Sequence, residues 1–288
     1  MKKTYDTQFK EAIRQVLFTG TPSEDRTGTG TIKTFDYNFN VDLSCDEPDT
    51  YYIPILTLRK VFPRVAFEEL LWMLRGDTNV NNLQKKKIHI WDLNSSREYL
   101  DSVGKYHINE NYIGRAYGYQ MRNFNNVDQL ENCYNSIMNT PNSRRHVISF
   151  WNPSDLKDMA LEPCHYAYNF MVEGKKLHLK FTMRSNDLIL GQPTNIMFAT
   201  FWLTLFAKAL NLEVGKVACS VTDMHIYNNH VDVAKELLDN EEYPMAKFKI
   251  NKDIRCLSDI LYNLTWEDIE IIDYVSNPSI PKERLIMS

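Results

Sequence analysis

Apolar side chains recur along this chain at two spacings, and the spacing predicts the element. Phe9, Ile13, Val16 and Leu17 share a helical face within residues 5–19, with Gly20 as a stop. Phe67, Leu70, Leu71 and Leu74 repeat at i, i+3, i+4 and i+7, with Gly76 just past the end. Glu69 rides inside that second helix. Most glutamates so placed are solvated at the edge of the stripe, and one that points inward needs a purpose, because burying a carboxylate is costly. Leu130, Cys133, Tyr134 and Ile137 predict a third helix. A strand is expected over 146–151. Another is expected where Leu177, Leu179 and Phe181 alternate with His178, Lys180 and Thr182. Residues 195–211 are apolar on nearly every side, the mark of a central buried helix. Residues 79–124 are polar and irregular, and lysine-rich, strand-like segments follow Pro244. Helices and strands interleave without a regular βαβ rhythm, and there is no repeat or linker. One α+β domain over residues 1–288 is the expected architecture.

Composition narrows the chemistry. A net charge of -4 argues against nucleic acid as the main partner. The five cysteines are widely spaced and form no CxxC pair, so neither a zinc site nor any other metal site is expected. Reduced thiols and the lack of an apolar run behind Met1-Lys2-Lys3 point to a cytoplasmic protein. The apolar run 196–206 is too short to span a bilayer, so no membrane partner is expected.

Leu161-Glu162-Pro163-Cys164-His165 sets a thiol beside a histidine, about 20 residues before Arg184-Ser185-Asn186-Asp187. Cys164 is either inert packing or a nucleophile that a nearby cation would activate. A cysteine–histidine protease stays open, with Asn195 and His225 downstream, but the surplus of arginines favours an anionic substrate. Arg144-Arg145 is either an exposed basic pair or, with Arg26 and Arg184, a phosphate clamp, since guanidinium grips phosphate bidentately. His225 and Tyr227, two apart on a strand, would face one side and suit sugar hydroxyls, or else be structural. Asn195 reads most simply as a helix cap, although its amide also matches the O4/N3 edge of uracil.

These pieces stand in one order, and over nearly its whole length the chain resembles the thymidylate synthase family. The matching stretches are Asp25-Arg26-Thr27-Gly28-Thr29-Gly30, Glu69-Leu70-Leu71-Trp72, Gly76-Asp77-Thr78-Asn79, Ile90-Trp91-Asp92, Ser143-Arg144-Arg145, Trp151-Asn152-Pro153 and Pro163-Cys164-His165. Arg184-Ser185 with Asp187, Gly191 with Pro193 and Asn195, and Asp223 with His225-Ile226-Tyr227 complete the set. The resemblance implies a homodimer of α+β subunits with a mixed, six-stranded sheet at its interface. It implies dUMP as substrate, 5,10-methylenetetrahydrofolate as one-carbon donor and dTMP as product. Cys164 would attack C6 of the pyrimidine. Arg26, Arg184 and Ser185 would hold the phosphate, with Arg144 and Arg145 arriving from the partner subunit. His165 and Asp187 would line the nucleotide site, Asn195 would select uracil, and His225 with Tyr227 would bind the deoxyribose hydroxyl. Glu69 would organise proton transfers, and Tyr117 would assist loss of the C5 proton. Ile90, Trp91, Asp187, Leu190 and Gly191 would contact the reduced folate.

Several positions depart from the family pattern. Thr194 stands where phenylalanine is usual, Gln192 replaces an apolar residue, and Met183 stands where glutamine commonly precedes the Arg-Ser pair. Met121 and Asn169 replace a tryptophan and a glutamine. The tail Pro281-Lys282-Glu283-Arg284-Leu285-Ile286-Met287-Ser288 is not the usual short apolar one. If tail closure is altered, water could replace hydride and give 5-hydroxymethyl-dUMP with tetrahydrofolate, the outcome of a dUMP hydroxymethylase. A third reading, regulatory RNA binding, is opposed by the acidic balance.

Overall fold

The computed structural model describes residues 3–24 and 28–286. Helix α1 (Tyr5–Thr19) is capped by Thr4, whose side-chain oxygen accepts the Thr7 N–H at 3.0 Å, and ends at Gly20 as its spacing predicts. A hairpin follows, β1 (Thr21–Ser23) and β2 (Thr31–Asp42), then a short β3 (Thr50–Tyr52). Helix α2 (Pro63–Leu74) starts on a proline in its first turn, where the missing N–H costs nothing, and buries Phe67, Leu70, Leu71 and Leu74. The irregular stretch resolves into short helices: α3 (Asn81–Gln84), α4 (Asp92–Ser95), α5 (Arg97–Ser102) and α6 (Gly118–Asn123). Each is too short to print a periodic pattern. Next come α7 (Gln129–Asn139), β4 (Val147–Ser149), β5 (His165–Glu173), β6 (Lys176–Asp187), α8 (Gly191–Ala209) and β7 (Glu213–Tyr227). Helix α9 (Val231–Asp239), β8 (Lys247–Ile250) and β9 (Ile269–Ile272) close the series.

The main sheet is mixed and six-stranded, in the order β1-β2-β7-β6-β5-β4, with β6 and β7 parallel. A second sheet runs β3-β8-β9. Parallel neighbours need a crossover, and α8 supplies it. This helix is apolar all round because it is covered all round. Tyr168 and Trp202 lie 4.8 Å apart, and Phe170 stacks on Phe206 at 5.2 Å. Fully burying such aromatic rings contributes about 2–3 kcal/mol each, and Trp202→Ala would cost about 3–5 kcal/mol through the cavity it leaves. Helix α8 begins four residues before Asn195, so Asn195 is not its cap. The cap position is Leu190, which makes no side-chain bond.

Strand β2 escapes the sequence pattern because its facing reverses. Ile32 packs on the core and Thr34 accepts a bond from Gln15 of α1, but beyond Asp36 the inward positions become Tyr37, Phe39 and Val41. Asp36 takes φ 54°, which permits the reversal. Among the described residues, the side of the sheet away from α1 and α8 is left largely exposed. Phe35 there is 80% exposed, Met171 50% and Val147 49%. Among the described residues no helix is long and apolar enough to cross a membrane.

Candidate active site

The ends of β5, β6 and β7 bring the thiol and its neighbours together. Cys164 immediately precedes β5 and is half-buried. The Arg184 backbone N–H donates to the Cys164 carbonyl at 2.9 Å, locking the two strands at this point. The Arg184 side chain turns back along the same loop. Its Nε donates to the Pro163 carbonyl at 3.0 Å and its Nη2 to the Glu162 carbonyl at 2.8 Å. That leaves Nη2 3.8 Å from the Cys164 sulfur, with the guanidinium over the Trp151 ring at 5.8 Å. The cation beside the thiol is therefore Arg184 and not His165. Burial holds the His165 imidazole neutral, with its pKa pulled down to about 3, and its Nδ1 lies 2.8 Å from the Tyr168 hydroxyl.

Tyr117 bridges the thiol loop and the helical layer. Its hydroxyl accepts the Cys164 N–H at 2.9 Å, so its own proton is directed elsewhere. Its ring sits 4.6 Å from His165 and 5.7 Å from Trp91. Burial, then the nearby Cys164, pushes the phenol well above its ordinary range. The backbone here is strained, with φ 33° at a non-glycine residue, a conformation that costs about 1–3 kcal/mol and that packing must enforce. Gly118 is part of that packing: a Cβ there would stand 2.8 Å from the Asp77 carbonyl. Trp91 in turn donates its indole N–H to Glu69 Oε1 at 2.8 Å. Glu69 is the inward-pointing glutamate, only 8% exposed. Burial drives its pKa up to about 7, with the Trp91 bond pulling back. A carboxyl balanced there can both give and take a proton near neutrality.

Most of the remaining candidate residues sit at the same strand ends, with Asn195 in α8 and Ile90 in the loop before Trp91. Ser185 pairs with Asp223 and Asp187 with His225 across the parallel β6–β7 seam. Asp187 Oδ1 accepts the Ile189 and Leu190 N–H groups at 2.9 and 3.1 Å, shaping the turn into Gly191 and α8. His225 Nδ1 lies 2.9 Å from Asp223 Oδ1, which leaves Nε2 as the ring nitrogen not engaged by Asp223, and the Tyr227 ring stands 5.2 Å away. Asn195 Nδ2 donates to the Met183 thioether at 3.8 Å. Ile90 is half-buried just before Trp91.

Arg144 and Arg145 are not drawn into this cluster. Both are exposed in the loop before β4. Arg26 lies outside the described residues. Other residues that complete the geometry carried no role in the sequence: Asp223, whose i, i+2 spacing to His225 on a strand is the signal that finds it, Trp151 under Arg184, and Tyr168 behind His165.

A half-buried thiol faced by a guanidinium thus stands with a buried carboxyl and a strained tyrosine alongside. The model of the family described as thymidylate synthase matches residues 7–286. Proteins named bifunctional dihydrofolate reductase-thymidylate synthase align with most of this chain. That of Paramecium tetraurelia is 37% identical over 98% of the chain and 61% of its own length. Those of Leishmania major and Zea mays are 37% and 38% identical, over 97% and 86% of the chain and 55% and 49% of their own lengths. The chain thus spans about half to three-fifths of these relatives. It belongs to the thymidylate synthase family.

Proposed function

We propose that this chain is a thymidylate synthase that converts dUMP to dTMP with 5,10-methylenetetrahydrofolate. The observation that carries the reading is the setting of Cys164, between the Arg184 guanidinium and the Tyr117 hydroxyl, with Glu69 buried behind Trp91. Pyrimidine C5 is a poor nucleophile until a soft nucleophile adds to C6, and covalent catalysis splits that hard step in two. Arg184 stabilises the attacking thiolate and holds one side of the phosphate, with Ser185 beside it. Tyr117 assists loss of the C5 proton by orienting, through its hydroxyl, the water that takes it. Glu69 relays protons to and from the ring O4. Asn195 reads the O4/N3 edge, and His225, oriented by Asp223, binds the deoxyribose hydroxyl with Tyr227. Sulfur leaves C6 at the end, regenerating the thiol.

When bound, the folate supplies a methylene carbon and then a hydride. The donor set suits it: an indole at Trp91, the apolar Ile90 and Leu190, the flat backbone of Gly191, and the Asp187 carboxylate for pterin N–H groups. We read residues 1–288 as one catalytic domain acting as a cytoplasmic homodimer. The bare outer face of the sheet supports that assembly, and so do Arg144 and Arg145, which would complete the partner's phosphate site. That the relatives are thymidylate synthases by name favours hydride transfer over hydration. Incubation with dUMP and methylenetetrahydrofolate tests the proposal through its products. dTMP with dihydrofolate is expected, whereas 5-hydroxymethyl-dUMP with tetrahydrofolate would make the protein a hydroxymethylase, and an absence of both would refute the reading.

A further inference from the structure

A primary amide is an ambiguous reader of pyrimidines. With oxygen toward N3 and N–H toward position 4 it complements uracil, whose N3 donates and O4 accepts. Rotated by half a turn it complements cytosine, whose N3 accepts and whose amino group donates. The two orientations differ little in shape, so an unrestrained asparagine would select poorly. Discrimination requires a neighbour that tells the amide's two ends apart.

The structure contains such a neighbour. Asn195 Nδ2 lies 3.8 Å from the sulfur of Met183. A thioether has lone pairs and no proton, so it can only accept. It favours the NH2 end of the amide and repels the carbonyl end. The NH2 group has a second hydrogen, cis to the oxygen. With one hydrogen on Met183, the other hydrogen and the oxygen remain as a donor–acceptor pair in the order that uracil requires. Met183 is 1% exposed on β6, so no solvent competes for the sulfur. The strand and helix are tied together next door, where Asn186 of β6 donates to the Gln192 side chain in the first turn of α8, both buried. The thioether and the amide are thereby held in register.

We propose that Met183 is the positioning residue that fixes the reading direction of Asn195 and so enforces uracil over cytosine. The inference rests on the reading of Asn195 as the base-facing amide. Equilibrium binding of dUMP and of dCMP is to be measured for wild type, Met183→Leu, Met183→Ile and Asn195→Asp, with melting temperatures alongside. Leucine and isoleucine keep the bulk and lose the acceptor, so repacking alone would weaken both nucleotides alike and leave their ratio unmoved. The expected result is a fall of about 5- to 10-fold in the dUMP/dCMP ratio, the worth of one weak hydrogen bond. An unchanged ratio in a folded variant would overturn the role of Met183. If Asn195→Asp also leaves base preference unchanged, the reading of Asn195 itself fails, and the role of Met183 falls with it.

Discussion

Arg184 and the Arg144–Arg145 pair carry the same charge in opposite circumstances. Arg184 spends its guanidinium on two backbone carbonyls of its own loop and faces the Cys164 sulfur. Arg144 and Arg145 stand exposed on a loop, beside a strand whose Val147 is half exposed. The thiol loop gathers a guanidinium and, through Tyr117 and Trp91, a buried carboxyl, whereas the outer side of the sheet shows exposed apolar groups at Phe35, Val147 and Met171. Under the proposed dimer, the difference teaches that chemistry and assembly fall to separate regions of one sheet.

The sharpest way to break this division is at the thiol. Cys164→Ser should lower turnover by about 10⁴-fold or more, with dUMP affinity changed only a few-fold by calorimetry; near-normal turnover would remove the sulfur from the mechanism. Glu69→Gln should lower kcat by about 10²–10³-fold through lost proton transfer, and it should also alter how stability depends on pH. In the unfolded chain this carboxyl ionises near 4.5, and in the folded protein near 7. Between those values the folded state keeps a proton that the unfolded state has lost, so the wild type loses stability as pH rises through that window and is level above it. The variant should therefore gain roughly 2–3 kcal/mol relative to wild type on going from about pH 4.5 to about pH 8. Urea denaturation at the two pH values measures this, and parallel curves would mean that Glu69 is not protonated in the fold.

The outer face offers the next tests. Arg144→Ala should weaken dUMP binding by about 10–100-fold, the worth of a charge-assisted bond. Co-expression with the Cys164→Ser chain should restore activity if arginines cross between subunits, and silent mixed dimers would argue that each site is self-contained. Phe35→Asp places a charge on the bare face and should shift the sedimentation profile toward monomer, since it forfeits about 2–3 kcal/mol of burial on each side; an unaltered profile would mean the face is solvent surface. The smallest effect is expected at Asp223→Asn, which leaves His225 in place but loosens its orientation. KM should rise about 5-fold with kcat held, and a change confined to kcat would place Asp223 in the chemistry instead.

How much of this was legible beforehand differs between the same two regions. The helices α1, α2 and α7 and the buried α8 announced themselves by spacing, and the family motifs carried Cys164, Arg184 and Glu69 to one site. Strand β2 did not, because its inward parity reverses around Asp36, and a window that averages across the reversal sees no period. Strand β4 is shorter than the expected 146–151 because only Val147, Ile148 and Ser149 pair with β5. Asn195 read as a helix cap because the apolar run begins there, yet Gly191 to Thr194 already turn as helix. The Asp223–His225 and Met183–Asn195 contacts are tertiary or cross-element geometry, which no residue pattern encodes by itself. The exposed outer face is legible in no one strand alone, since single exposed apolar residues are ordinary and only their alignment across β2, β4 and β5 makes a surface.

One feature of the sheet reaches back to the ribosome. The register couples Thr31 to Tyr227 and Asp42 to Lys216, so β2 is made early and its partner β7 late. At bacterial or eukaryotic elongation speeds the nascent β2 waits on the order of ten seconds or longer for that partner. Throughout the delay Phe39, Val41 and the strand edge that β7 covers lack their native partner, so this stretch is open to mispairing until β7 emerges.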